Sequence, residues 1–438
     1  MPGVGRIAVK VRMKERIDTR RLKLGMYVVE LDRPWTGTRF IYRQFIIESQ
    51  EVLDELCLVS DYVYIESDPK LKPSPGTRPV GPILSGKPKP LVDPGGPVDR
   101  VLRASSHHIQ TRWQPDKTDL EEEMNDAEKI EFRAREVLYD TLDDVKLGKS
   151  IQVSGVREVV AEMAESVIRN PDAMVVLSQL KDADEYTALH SLRVCILALT
   201  FGRHLDFSNE ELNLLGIGAL LHDVGKMKVP KDILNKPGKL TDSEFEIMKS
   251  HVPEGVKILH SAAGIDDISI QVAAQHHERY AGGGYASGVA GDKIGTFGLV
   301  SGIVDCYDAI TSDRVYHSGM SPYEALTKMY GWRATDFHPG LIEQFIQCMG
   351  IYPVGSVVEL SDGTVGVVIT VNRKRRLRPR IALVLKANKK PYRTAKIVNL
   401  VDLEEAKGRD APAIAKVLQS GEYGINPADY MPISDTRR

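Results

Sequence analysis

Apolar and polar positions change period twice along the chain, and each change marks a different kind of segment. Between residues 6 and 66, IAVKV, MYVVEL, RFIYRQFII and DYVYIE gather β-branched and aromatic residues in short runs, as strands do. QEVLDELCLV between them has helical spacing. A small α+β domain is therefore expected over 1–68. Prolines and glycines then dominate in KPSPGTRPVGPILSGKPKPLVDPGGP, which has too little apolar surface to offset the entropy of ordering its backbone. The expectation for 69–118 is a linker. From 119 to 350 the spacing turns helical. DLEEEMNDAEKIEFRAREVLYDTLDDVKLG and VREVVAEMAESVIRN are amphipathic, and the second should stop at Asn170-Pro171. LHSLRVCILALTFGRHL and NEELNLLGIGALLHDVGK are more apolar, as buried helices are. The final stretch, 351–438, returns to strands in SVVEL, VGVVITV and RIALVL around Asp362-Gly363, which predicts a small β appendage and tail.

Composition narrows the class without moving these boundaries. A length of 438 residues exceeds one typical domain, and 42% hydrophobic with 27% charged residues describes a globular chain with a sizeable core. The formal net charge of −2 offers no global field to a nucleic-acid polymer or an anionic membrane. An anionic substrate must then be held by local cations or by metal. Cys57, Cys195, Cys306 and Cys348 are scattered and form no C-x-x-C pair, which argues against a disulfide framework or a zinc ribbon. MPGVGRIAVKVRMKERI lacks the apolar core of a signal peptide, and no apolar run is long enough for a membrane span. The expected setting is a reduced cytoplasm.

Taken singly, the histidines have structural explanations. His190 in YTALHSLRV fits a hydrogen-bonded core residue as well as a ligand. His222-Asp223 in ALLHDVGK sets an imidazole beside a carboxylate on an apolar helix, where Lys226 three residues on could pair the charge. In HHERYAGGGY, His276 and His277 stand before a flexible glycine turn, while His107-His108 have nothing nearby to complete a site. Collectively the picture changes. His190, His222, Asp223, His251, His276, His277 and Asp305 all fall within one helical region. Imidazoles and carboxylates without thiolate suit iron, manganese and other first-row ions rather than structural zinc. So many ligands suit two ions sharing a carboxylate, an arrangement that clamps phosphoryl oxygens and acidifies a bridging water.

LLHDVGKMKVPKDILNKPGKLTDSEFEIMKSH, HHERYAGGGYASG and VDCYDAITSDRVY, in that order, resemble the HD-GYP family, a branch of the HD phosphohydrolases, over roughly 150–350. LKLGMYVVELDRPW resembles the small domain of unknown function that often precedes it. The resemblance implies an all-helical HD domain with two or three divalent ions, iron or manganese, that hydrolyses cyclic di-GMP to linear pGpG and on to GMP. By position it implies that His190, His222, Asp223 and Asp305 hold one ion and His251, His276 and His277 the next, with Asp223 as the bridge. A third ion would need an acidic residue shortly before the first histidine. Glu185 is the candidate, although Tyr186 holds the position that would share a helical face with His190. Lys226 would hold a phosphate oxygen or assist the leaving ribose oxygen. Arg314 would bind the phosphate, Tyr285 would stack on a guanine, and Arg279 would serve either ligand or loop. Asp308 and Asp313 would brace their helix and Arg314. The implied partners are cyclic di-GMP and protein domains such as diguanylate cyclases docking on the GYP loop, with self-association left open.

Departures concentrate in that loop. The family pattern R-x-D-G-x-G-Y-P becomes RYAGGGYA, with Ala281 for aspartate and Ala286 for proline. Losing a turn carboxylate and a fixed φ should loosen it. After Arg314, Val315-Tyr316-His317-Ser318 replaces P-Y-R-K and removes two positive charges. The leading expectation is a cyclic di-GMP phosphodiesterase. The alternatives are a weakly catalytic module that binds cyclic di-GMP or docks a partner, and an HD phosphohydrolase of another nucleotide.

Overall fold

The computed structural model describes residues 14–31, 45–47, 50–60, 62–66, 115–179, 186–312, 319–419 and 421–432. The chain divides into two compact units, Met1–Lys89 and Pro90–Arg438. IAVKV, nearly all of the expected linker, His107-His108, Glu185, Asp313 and Arg314 lie outside the described residues.

In the first unit, β1 (Lys14–Asp18), β2 (Tyr27–Leu31), β3 (Phe45–Ile46) and β4 (Tyr62–Glu66) form an antiparallel sheet in the order β1-β4-β2-β3. The helix α1 (Gln50–Val59) contributes Leu56 to a core with Val28, Ile47, Val63 and Ile65. Three or more strands backed by a helix are what so small a unit needs to hold an apolar face out of water.

The second unit is helical. α2 (Leu120–Lys146) and α3 (Val153–Arg169) pack through their apolar stripes, and α3 ends where the sequence predicts. Asn170 leaves the helical conformation, and its side chain caps α4 (Pro171–Ser178) by accepting from the Asp172 N–H at 3.0 Å. α5 (Tyr186–His204) and α6 (Asn209–Leu221) form the centre of the bundle, and α6 starts at a Ser208–Glu211 capping box. The next two helices, α7 (Lys231–Leu234) and α8 (Asp242–Lys249), contain no buried residue. α10 (Asp267–Gln275) packs on α6 and is flanked by α9 (His251–Ser261) and α11 (Thr296–Thr311), followed by α12 (Pro322–Gly331) and α13 (Pro339–Met349). Residues 115–118, placed at the linker's end by the sequence, are tied to this body: Lys117 N–H donates to the Arg169 carbonyl at 2.8 Å.

The chain ends in a five-stranded antiparallel sheet built from β5 (Val357–Leu360), β6 (Val365–Thr370), β7 (Arg380–Leu385), β8 (Pro391–Asn399) and β9 (Ile414–Val417), in the order β8-β7-β6-β5-β9. Period-two alternation gives it two buried faces. Val365, Val367 and Ile369 enter the helical core, while Val368 and Ile381 face Leu400 of α14 (Leu400–Lys407). The expected appendage thus shares the helical core. Arg373 fastens it further through Asp172 at 2.6 Å and Asp116 at 3.3 Å. Removing one partner of the buried Arg373–Asp172 pair would cost about 3–5 kcal/mol. No helix among the described residues is long and apolar enough to cross a membrane.

Candidate metal centre

Three helix C-termini deliver histidines to one point. His222 caps the end of α6, His276 caps the end of α10, and His251 follows the Ser250 cap of α8. The last turn of any helix leaves carbonyls without intrahelical partners. Each of these histidines uses one. The Nδ1 atoms of His222, His251 and His276 lie 2.8, 2.7 and 2.9 Å from the carbonyls of Ala219, Met248 and Ala273. With Nδ1–H donating there, Nε2 is left with its lone pair turned inward. The partial negative charge of the helix ends also favours a cation at the point they share.

His190 comes from the N-terminal part of α5 and Asp305 from α11. His190 Nε2 is 3.0 Å from Asp305 Oδ1 and 3.6 Å from Asp223 Oδ2. The two oxygens of Asp223 face different imidazoles. Oδ2 lies 3.2 Å from His222 Nε2, whereas Oδ1 lies 3.5 Å from His251 Nε2 and 3.8 Å from His276 Nε2. His277 lines the outer side, its Nδ1 3.9 Å from Asp305 Oδ2. Lys226, in the 3₁₀ turn Val224–Lys228, bonds Asp223 Oδ2. That turn packs so closely on α9 that a Cβ on Gly225 would lie 1.9 Å from the His251 carbonyl oxygen, so only glycine fits.

The donors fit a divalent ion. His222 Nε2, His251 Nε2, His276 Nε2 and Asp223 Oδ1 are buried and have no hydrogen-bond partner among the described residues, an expensive condition unless a ligand satisfies them. His251-His276-His277, His190-His222-Asp305 and His222-Asp223-His276 each bring three ligand atoms within 4.8 Å of one another. Burial lowers the basicity of His251 and His276 and takes His277 down to about 3, so these imidazoles are neutral, the form that ligates metal. Burial opposes ionisation of Asp223 and Asp305, but His222 and Lys226 around the first and His190 beside the second outweigh it, keeping both carboxylates charged.

Asp308 orients His190, a role the sequence reading did not give it. Its Oδ2 lies 2.7 Å from His190 Nδ1, and Arg193 Nε donates to its Oδ1 at 2.7 Å. His190 is therefore the one histidine of the described centre seen to rest on a carboxylate rather than a carbonyl. Burial alone would depress its pKa, yet Asp305 and Asp308 raise it to about 9. The i, i+3 spacing from Asp305 was the available signal.

The loop over the centre is held by hydrogen bonds to its backbone. Glu278, buried behind His277, accepts the N–H groups of Ser287 at 2.8 Å and Gly288 at 2.9 Å through Oε1. Tyr280 and Ala281 donate their N–H groups to the carbonyls of Asp336 and Thr335 at 3.0 and 2.7 Å. Arg279 pairs with Asp336 at 3.2 Å. A Cβ on Gly284 would fall 2.5 Å from Glu278 Cα, so this glycine permits close backbone approach. Tyr285 then lies over His277, with ring centroids 4.5 Å apart and an interplanar angle of 32°. No sequence signal marked Glu278, whose bonds go to backbone groups, or Asp336, whose ion pair with Arg279 joins residues distant in the chain.

The chain is similar to known proteins along most of its length. Residues 173–340 match the HD domain, 14–156 the Domain of unknown function (DUF3391), and 357–423 the KOW domain associated with HD domain. A cyclic di-GMP phosphodiesterase of Pseudomonas aeruginosa is 34% identical over 392 residues, 89% of either chain. The cyclic di-GMP phosphodiesterase response regulator RpfG of Xanthomonas campestris is 32% identical over 176 residues, 39% of this chain and 47% of that one. A solved HDG"Y"P protein from Bdellovibrio bacteriovorus aligns with TM-score 0.44 and 14% identity over 76% of this chain and 98% of its own. The chain belongs to the HD-GYP branch of the HD domain phosphohydrolases.

Proposed function

We propose that this protein is a metal-dependent phosphodiesterase that hydrolyses cyclic di-GMP to linear pGpG, and onward to GMP, in bacterial second-messenger signalling. The observation that carries this reading is Asp223, whose two oxygens face separate sets of unsatisfied histidine nitrogens beside Lys226. Kinship with the Pseudomonas phosphodiesterase over nearly the whole chain supports it.

His190, His222, Asp223 and Asp305 would hold one ion, and His251, His276 and His277 a second shared through Asp223. Divalent ions held there, iron or manganese, supply Lewis acidity and acidify water. Hydrolysis joins a water oxygen to phosphorus, breaks the bond from phosphorus to the 3′ ribose oxygen, and leaves a proton on that oxygen. Lys226, kept at the centre by Asp223, donates to the phosphate or to the departing ribose oxygen. Tyr285 roofs the outer side and limits access of water. Arg314, on the segment after α11, adds phosphate binding in this scheme, and Glu185 is a candidate ligand for a third ion. Four unpaired cysteines suit work in a reducing cytoplasm. The surface of the loop around Ala281–Ala286 is where partner domains such as diguanylate cyclases would dock.

Metal analysis and cyclic di-GMP turnover on protein purified without oxygen test the reading together. Two ions per chain with release of pGpG is the expected result. Full metal with binding but no turnover would move the protein to the alternative, a cyclic di-GMP-binding module.

A further inference from the structure

α8 stands out because it buries nothing yet sits directly beside the centre: its Ser250 cap is followed at once by His251. It is held by a Thr241–Glu244 capping box and a Lys236–Glu244 ion pair at 2.5 Å rather than by a core. A helix without a core face has no packing reason to carry large apolar side chains. Phe245 and Ile247 are nevertheless 44% and 43% exposed. Phe245 meets the edge of Tyr285, with centroids 6.0 Å apart and planes at 84°. Tyr285 in turn covers the ligand histidine His277 at 4.5 Å. A line of rings thus runs from the metal centre to the surface. Lys249 Nζ lies 5.2 Å from the Phe245 centroid and 5.8 Å from that of Tyr285. Its pair with Glu246, which is 70% exposed, is a surface ion pair of little strength.

We infer that Phe245 and Lys249 form an outer subsite of the catalytic cleft that takes a purine base of the cyclic dinucleotide, the exposed ring of Phe245 stacking on the base. The inference rests on the proposed activity and names what binds beyond the reacting phosphate. Charge complementarity selects this occupant. Lys226 at the centre and Lys249 at the rim flank a wall of aromatic rings, which suits an anion carrying planar bases spaced from its phosphates. Aromatic faces hold bases by stacking, and a cation nearby strengthens the contact for an anionic ligand.

The test uses the full-length, metal-loaded protein. Phe245→Ala should raise KM for cyclic di-GMP by roughly 10-fold, within the range known for base–aromatic stacking. The kcat should hold, since the contact is the same in ground and transition states, and so should the metal content. Phe245→Trp should keep the wild-type KM, whereas Phe245→Leu should behave like alanine. Leucine distinguishes stacking from apolar filling. If Phe245→Leu restores KM as well as tryptophan, or if Phe245→Ala leaves KM unchanged in an active enzyme, the subsite is overturned and the phosphodiesterase reading survives. If the wild type binds cyclic di-GMP without turnover, the catalytic reading fails, and the same ordering of variants in Kd still decides the subsite.

Discussion

The floor of the metal centre and the loop above it are held by opposite means. In the floor, His222, His251 and His276 are each fixed by an Nδ1 contact to a helix-end carbonyl, and His190 by Asp308. The function of each residue depends on its own side chain. In the loop, the backbone is the fixed part: Tyr280 and Ala281 bond to a neighbouring turn, and Glu278 gathers two N–H groups. The difference explains where this chain has drifted from its family. Replacing a floor residue removes a ligand, whereas Ala281 occupies a position whose main-chain bond survives a change of side chain.

Substitutions in the floor should break the comparison hardest. Asp223→Ala should lose metal and activity together, because both oxygens face histidine nitrogens of the two clusters. Full metal occupancy in that variant would show that the clusters bind independently. Lys226→Ala should retain metal and lose about 10²–10³-fold in kcat, the cost of a preorganised donor. Metal content and single-turnover rate on the same sample separate the two effects. Asp308→Asn should weaken metal affinity by about 10–100-fold, as loss of a carboxylate behind a ligand histidine does, with turnover recovering at high metal concentration. Unchanged affinity would mean that Asp308 serves Arg193 and the helix alone.

The same contrast governs what could be read from the sequence. His190, His222, Asp223, His251, His276, His277 and Asp305 were legible because a ligand needs a given side chain at a given place. The amphipathic helices and strands β5 to β7 were legible for a similar reason, since periodicity records burial. β8 was not, because its residues are exposed at most positions and show no alternation. Nor could spacing reveal that β6 faces the helical core on one side, since both faces of that strand are apolar. Glu278 escaped because a bond to backbone leaves no mark on the partner's residue type, and Asp336 because its pair with Arg279 joins residues far apart in the chain. Asp308 was visible as an acidic residue, but its approach to His190 was not, because it joins residues 118 apart.

The smallest effect is expected where the family residue is missing. Ala281→Asp restores the carboxylate of the usual pattern, and if the loop were loose for want of it, turnover should climb. The carboxylate that already holds this loop is Glu278, and the Ala281 N–H is already bonded to Thr335 at 2.7 Å. Residue 281 is exposed, so the new side chain gains at most a surface contact. Exposed substitutions away from such bonds typically shift free energies by about 0.5 kcal/mol or less, which corresponds to about 2-fold in rate. The kcat/KM of Ala281→Asp for cyclic di-GMP should therefore stay within that range, with metal content unchanged. A gain of about 10-fold, roughly 1.4 kcal/mol of transition-state stabilisation, would show that backbone bonding alone does not position Tyr285. The loop would then depend on side-chain identity as the floor does.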